Sequence, residues 1–314
     1  DHDEVLIWNP WQAGKVLHRY LLLPREQAAG WPKSLDATIV GVPIERSVVF
    51  TASHAYLLYN IGATDCIAGV CDWRYMHSPA VAQRLNAGLA VDCGDGMHPN
   101  LERIVQSHAE ALFLSPFEHS GGYGAVEKLG IPLIECADYM EYTPLGRAEW
   151  IKFYGMLLGR EREADSIYAA TVLRYNALRQ RAEQARKHPT VLTETVINGV
   201  WNVPGGQSYI AGMLRDAGAH YLWDDDTSTG SLNLDFGRVL DRAQNADFWL
   251  IKSFAIHSYA DLHAQYALND RFDAFRQRHV YACDTNASHL FERFPFHPEL
   301  LLADFIAILH PELR

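Results

Sequence analysis

Short apolar runs recur along this chain at Thr38–Val42, Cys66–Val70, Ala111–Ser115, Ile131–Cys136, Val191–Ile197, Phe248–Phe254 and Val280–Cys283. Each reads as a strand, and most are separated by helical stretches of ten or more residues, an order that predicts βα units around mainly parallel sheets. Ahead of them, residues 5–23 alternate unevenly between apolar and polar, with an interruption at Pro10 and a turn signal at Gly14. This predicts a small accessory antiparallel hairpin. From Arg160 to Lys187 there is no Gly or Pro, and Ala164, Ile167, Tyr168, Thr171, Tyr175, Leu178, Ala182 and Ala185 recur at three- and four-residue steps. That spacing predicts one helix of about 40 Å carrying a single apolar stripe, stopped by Pro189. Strand-and-helix units lie on both sides of it. The expected organisation is therefore an α/β fold with an N-terminal lobe over residues 1–159, including the hairpin 5–23, a connecting helix over 160–188 and a C-terminal lobe over 189–314. A long helix packed on one large domain is the alternative.

Two such lobes make a cleft, and in open α/β sheets ligands sit beyond the carboxyl ends of the strands. After the N-terminal runs come Arg46–Ser53 with His54, then Asp72, Trp73 and Tyr75, then Phe117, Glu118, His119 and Gly121–Tyr123. After the C-terminal runs come Asn198, Trp201 and Gly205–Tyr209, then His257 and Tyr259, then Thr285 and Asn286. Aromatic side chains dominate. Trp and Tyr offer broad rigid faces with a polar edge, which suit a bulky, partly apolar ligand, so Trp73, Tyr75, Tyr123, Trp201, Tyr209 and Tyr259 are candidates to line the cleft. Trp73 is expected on one side of it and Trp201 on the other.

Signatures of catalysis are missing. No GxSxG elbow, GxxxxGK[ST] phosphate loop or HExxH pair occurs, and Gly121–Gly124 does not fit a dinucleotide fingerprint. Ser208 reads as the N-cap of a helix beginning near Tyr209 rather than as a nucleophile. The Asp224–Asp226 run reads as a solvated turn. Among the 15 histidines, His54, His119 and His257 all follow expected strands and are the candidate ligands of a zinc or manganese site, although their spacing matches no metal motif.

Composition narrows the classes further. At 314 residues the chain is long enough for two cores, and 48% hydrophobic with 21% charged residues is ordinary for a globular protein. The formal charge of −11 and the lack of a basic patch argue against nucleic-acid binding. No stretch approaches the ~20 apolar residues of a membrane span. The sequence starts at Asp1 rather than Met, which reads as a mature or trimmed product and permits export. The five cysteines, Cys66, Cys71, Cys93, Cys136 and Cys283, form no CxxC pair. They read as buried thiols, with a Cys66–Cys71 or Cys71–Cys93 disulfide open to them in an oxidising compartment.

Several ordered motifs point to a family. The stretch Glu141–Lys152 (EYTPLGRAEWIK), followed by Leu158–Ala164 and the long helix, resembles the periplasmic iron-complex and cobalamin solute-binding proteins of ABC importers, especially those of the Bacteroidetes. Asn60–Val70, Asn100–Val105, Gly199–Tyr209 with Asp216–Tyr221, and Asn9–Gln12 in the hairpin resemble further pieces of it. The resemblance implies two Rossmann-like lobes joined by a rigid helix, a ligand held between them and no chemistry performed. It implies an iron chelate, a siderophore or a haem-like compound, as ligand, with cobalamin as the alternative and bare zinc or manganese as a further one. An α/β hydrolase using His119 or His257 as base is the reading from outside transport. The binding set becomes Trp73, Tyr75, His119, Tyr123, Arg147, Trp201, Tyr209 and His257, with Arg147 either facing an anionic ligand or packing the junction before the long helix. The resemblance also implies a monomer in the periplasm, lipid-anchored before trimming, that needs no cofactor and docks on a membrane permease through one acid per lobe. Glu102 falls on the first position; at the second stands Gly237, leaving Asp235 as the nearest acid.

Overall fold

The apolar runs become strands in two separate α/β units. The computed structural model describes residues 2–32, 36–118 and 122–313. One unit comprises Asp1–Tyr139 with Glu149–Ala169, the other Met140–Ala148 with Ala170–Arg314. The division falls inside the long helix Glu161–Ala182 rather than on either side of it, because each half packs with a different core. Ala164 in the first half sits so close to Gly155 that a Cβ there would lie 2.8 Å from its methyl, whereas Tyr175 in the second half donates from its hydroxyl to Asp216 at 2.7 Å. At 22 residues the helix spans about 33 Å and ends before Lys187. Its last turn loosens into three-residue steps, with the amide of Gln184 on Arg181 and that of Ala185 on Ala182.

In the first unit, β1 (Asp3–Trp8) and β2 (Val16–Pro24) form the expected antiparallel hairpin. β3 (Thr38–Val42), read from the sequence as the first main strand, instead adds to this hairpin in parallel with β2. The main sheet begins one segment later with β4 (Ser47–Val49), followed by β5 (Ile67–Val70), β6 (Val91–Asp92), β7 (Ala111–Leu114) and β8 (Leu133–Glu135). Its order is β6-β5-β4-β7-β8 and every pairing is parallel. β4, β5 and β7 are buried along their whole length, as strands covered by helices on both faces must be. The accessory sheet is pinned to the main one by Tyr20, whose buried hydroxyl donates to the Leu133 carbonyl at 2.9 Å and accepts from the Glu135 amide at 2.8 Å.

In the second unit the expected strand Val191–Ile197 splits into β9 (Thr190–Thr193) and β10 (Val196–Ile197), because Glu194 takes a left-handed backbone with φ 64°. β11 (Val200–Pro204), β12 (His220–Tyr221), β13 (Ser231–Leu234), β14 (Phe248–Lys252) and β15 (Val280–Cys283) complete it. β9, β12, β14 and β15 form a parallel sheet in the order β12-β9-β14-β15, while β10, β11 and β13 form a small antiparallel one. Its core is aromatic: the Trp201 ring lies 5.6 Å from that of Trp249 and 5.6 Å from that of Phe272. All five cysteines are free thiols. No helix among the described residues is long and apolar enough to cross a membrane.

Candidate functional site

Strand order locates the binding edge of each sheet. In the first unit the chain runs outward from β4 through β5 to β6 and then returns to the other side of β4 with β7, so the order reverses between β4 and β7. At such a reversal the following connections leave on opposite faces and a crevice opens beyond the carboxyl ends. A cavity of about 640 Å³ occupies this place. Phe50 and Thr51, which follow β4, line it together with Leu114, Ser115 and Phe117 from the end of β7. Thr51 also caps the helix Ala52–Asn60 by accepting the amide of His54 at 3.3 Å, so the N-terminus of that helix starts at the cavity.

Two loops complete the wall. Asp72, just after β5, has a left-handed backbone with φ 52°, and its carboxylate reaches over Gly96, where a Cβ would lie 2.7 Å from it. Asp95 accepts the amides of Met97 at 2.8 Å and His98 at 3.2 Å, which turns both side chains outward along the rim. Met97 is 68% exposed and Phe117 45%, an unusual state for large apolar side chains unless something covers them. Tyr123 closes the other side, its hydroxyl donating to Glu135 at 2.9 Å; burial and that carboxylate push its pKa far up, so it stays a neutral donor. The lining is therefore mainly apolar with a few placed polar groups, the usual make-up of a small-molecule site.

In the second unit the order reverses between β9 and β14. Glu194 follows β9 directly and Lys252 closes β14, and their charged ends meet at 2.7 Å. Burial works against the Lys252 charge, but Glu194 and the Tyr209 ring oxygen outweigh it and raise its pKa. Arg147, only 8% exposed, stacks its guanidinium over Tyr209 with 4.7 Å between Cζ and the ring centroid. Arg147, Lys252, Glu194 and Tyr209 thus gather at this reversal. Beyond β14 and β15 a smaller cavity of about 310 Å³ is lined by His257, Tyr259 and Asp284.

The residues expected from the sequence scatter between these places. Tyr123 lines the first cavity, and His257 the small one, 3.8 Å from Asp284. Arg147 and Tyr209 meet each other at the second reversal. Trp73 is half-buried in the turn after β5, and Tyr75 beside it has one face covered by Arg74 at 4.8 Å. His119 lies outside the described residues. Trp201 is a correction: it is fully buried, its indole N–H donates to the Thr193 carbonyl at 2.8 Å, and it reaches no cavity, because β11 turns back to cover the sheet instead of extending its edge. His54, one of the three candidate ligands of the alternative metal site, is buried, 1% exposed, with Nε2 3.7 Å from Asp138. Ser208 caps its helix as expected, accepting the Ala211 amide at 3.2 Å. Glu102 stands exposed in the first turn of the helix Leu101–Gln106, and Asp235 caps the helix Phe236–Ala243 with Arg238 3.6 Å away.

Reading the sequence missed Met97, His98, Glu194 and Lys252. The first two follow β6, only two residues long and without a hydrophobic signature. The other two were absorbed into apolar runs, where a carboxylate and a lysine were the overlooked signal.

The pattern of the family described as periplasmic binding protein matches residues 48–287. This chain belongs to that family. Members are solute-binding proteins, not enzymes, and the two parallel sheets are those of their two lobes. An uncharacterized lipoprotein of Methanocaldococcus jannaschii is 23% identical over 286 residues, which cover 87% of this chain and 67% of that protein. Among solved structures, the periplasmic heme-binding protein HutB of Vibrio cholerae superposes with a TM-score of 0.66 at 16% identity, covering 85% of this chain and 100% of that one. The vitamin B12 binding protein BtuF of the same organism gives a TM-score of 0.63 at 13% identity, covering 85% and 97%. Its fold is thus shared with structures described as heme-binding and vitamin B12 binding.

Proposed function

We propose that this periplasmic binding protein carries an iron chelate, a siderophore or a haem-like compound, to the permease of an ABC importer, from the periplasm or from a lipid anchor on the membrane. The observation that supports this reading is the cavity at the β4–β7 reversal. At about 640 Å³ it accommodates a bulky ligand, its walls are apolar, and Met97, His98 and Phe117 stand exposed at its rim. The heme- and vitamin B12-binding likenesses agree with a large planar ligand. Bare zinc or manganese is a poorer fit, since His54 is committed to Asp138 within the core.

Titration with hemin, a ferric hydroxamate and cyanocobalamin, followed by the visible band of each, tests this reading. One of the two iron chelates should bind in a one-to-one complex, and Phe117→Ala should weaken it at least ten-fold, about 1.4 kcal/mol. Binding of cyanocobalamin alone would move the assignment to a corrinoid carrier, and zinc binding lost in His257→Ala would move it to a metal carrier.

Docking is carried by Glu102 in this proposal. Its carboxylate sits near the positive end of a helix, which also favours it there without any partner, but among the described residues no cation pairs with it. It is free to meet a basic permease residue, whereas Asp235 is held by its own helix and Arg238. Glu102→Ala should leave ligand affinity unchanged and lower ligand-dependent uptake in vesicles carrying the cognate importer, with Asp235→Ala showing a smaller loss. Normal uptake by Glu102→Ala would remove the residue from the docking surface.

A further inference from the structure

We propose that Cys71 and Cys93 form a disulfide that ties together two walls of the β4–β7 cavity. β5 and β6 run parallel with Gly69 opposite Val91 and Val70 opposite Asp92, so the next step of the same register puts Cys71 opposite Cys93. Residues two apart on a strand share a face. Cys71 therefore lies on the same face of its strand as Gly69, and a Cβ at Gly69 would come within 3.0 Å of the Cys93 sulfur. The Cys93 side chain thus leans over β5 toward Cys71, in space that the missing side chain of Gly69 leaves open. Both residues are fully buried in one apolar cluster with Val48, Phe50 and Leu114. None of the other three cysteines belongs to that cluster.

The backbone already crosses between the two segments on either side of the pair. The Cys93 amide donates to the Val70 carbonyl at 2.7 Å and the Asp72 amide to the Gly94 carbonyl at 2.8 Å. Directly beyond Cys71 comes Asp72, and directly beyond Cys93 the turn that carries Gly96, Met97 and His98, so the bond would hold the two loops of the cavity wall at fixed separation.

The oxidant is a low-molecular-weight disulfide or a disulfide oxidoreductase of an oxidising compartment. The Cys93 thiol loses its proton, and its thiolate attacks one sulfur of the oxidant and releases one equivalent of thiol. The Cys71 thiol then loses its proton and attacks Cys93 in the mixed disulfide, forming the Cys71–Cys93 bond and releasing the second equivalent. Two electrons and two protons pass from the protein to the oxidant. Because both thiols are buried in the native state, exchange takes place while the chain folds.

The experiment refolds the whole chain in a buffer of oxidised and reduced glutathione, blocks remaining thiols with N-ethylmaleimide and digests without reductant. The expected result is a peptide pair joined through Cys71 and Cys93, three blocked thiols per chain, and a higher melting temperature than the chain refolded with reductant. The link and the increment should vanish in Cys71→Ser and in Cys93→Ser and persist in Cys66→Ser. Cys71→Ala combined with Cys93→Ala, compared with the reduced wild type, separates loss of the bond from a change in packing. Five blocked thiols after refolding, or a link that uses Cys66, Cys136 or Cys283, would overturn the proposal.

Discussion

Trp201→Ala should destabilise the second unit by about 3–5 kcal/mol, the cost of removing a large aromatic from a packed core. The indole touches Trp249, Phe272 and Phe236, with ring centroids 5.6, 5.6 and 6.1 Å away, and none of these can move into the vacated volume without breaking its own contacts. The lost N–H also leaves the Thr193 carbonyl without its 2.8 Å donor just before the Glu194 turn. Denaturant unfolding of the full chain measures this as a lower midpoint for the transition that exposes Trp249. Ligand affinity, read where the variant is still folded, should change far less than in Phe117→Ala. A variant that unfolds like the wild type while losing its ligand would return Trp201 to the binding site.

A second large effect is expected at His54. Its ring is buried with Asp138 and Cys136 beside it; burial opposes the charge, yet these neighbours prevail and raise its pKa to about 10. In the unfolded chain the value is about 6.5. A group whose folded pKa is the higher one contributes fully while both the folded and the unfolded states are protonated, so its stabilisation is complete below about 6.5 and fades as pH rises through about 10. The first unit should accordingly lose stability between neutral pH and pH 10. His54→Ala leaves the Asp138 carboxylate buried without this partner, at a cost of roughly 3–5 kcal/mol at pH 7, and should flatten that part of the pH profile. Denaturant midpoints of both proteins at several pH values provide the check. An equal slope in both would show that other groups cause the alkaline loss.

The strand runs at Cys66–Val70 and Ala111–Ser115 were legible because a strand buried on both faces must be almost wholly apolar. The long helix was legible from its stripe. β4 was not, since three residues between Arg46 and Phe50 offer too short a pattern, and without β4 the strand Thr38–Val42 took its place. Its absence also displaced the reversal at which the cavity opens, and so the search favoured aromatics over Met97 and His98. Trp201 was misread for a related reason. Following a strand in sequence does not put a residue at the sheet edge when the chain doubles back, and the small antiparallel sheet β10-β11-β13 is such a return. Arg147 was found through the motif around it and Tyr209 as an aromatic after an expected strand, while Lys252 and Glu194 meet only through the parallel pairing of β9 with β14.

Boundaries for a shortened protein follow from the accessory sheet. The family pattern spans residues 48–287, and a piece cut there would begin inside β4. Such a piece loses Tyr20, whose hydroxyl bridges Leu133 and Glu135, and with it the whole sheet that covers β8. At the other end it loses the helix Pro298–Leu309, whose Leu302 and Ile306 belong to the second unit's core. Both cuts uncover apolar surface and free strand edges, the usual start of aggregation during expression. Fragments and fusions made from this protein should therefore keep the chain from β1 through Leu309 and take their insertions in surface turns such as the one at Gly14.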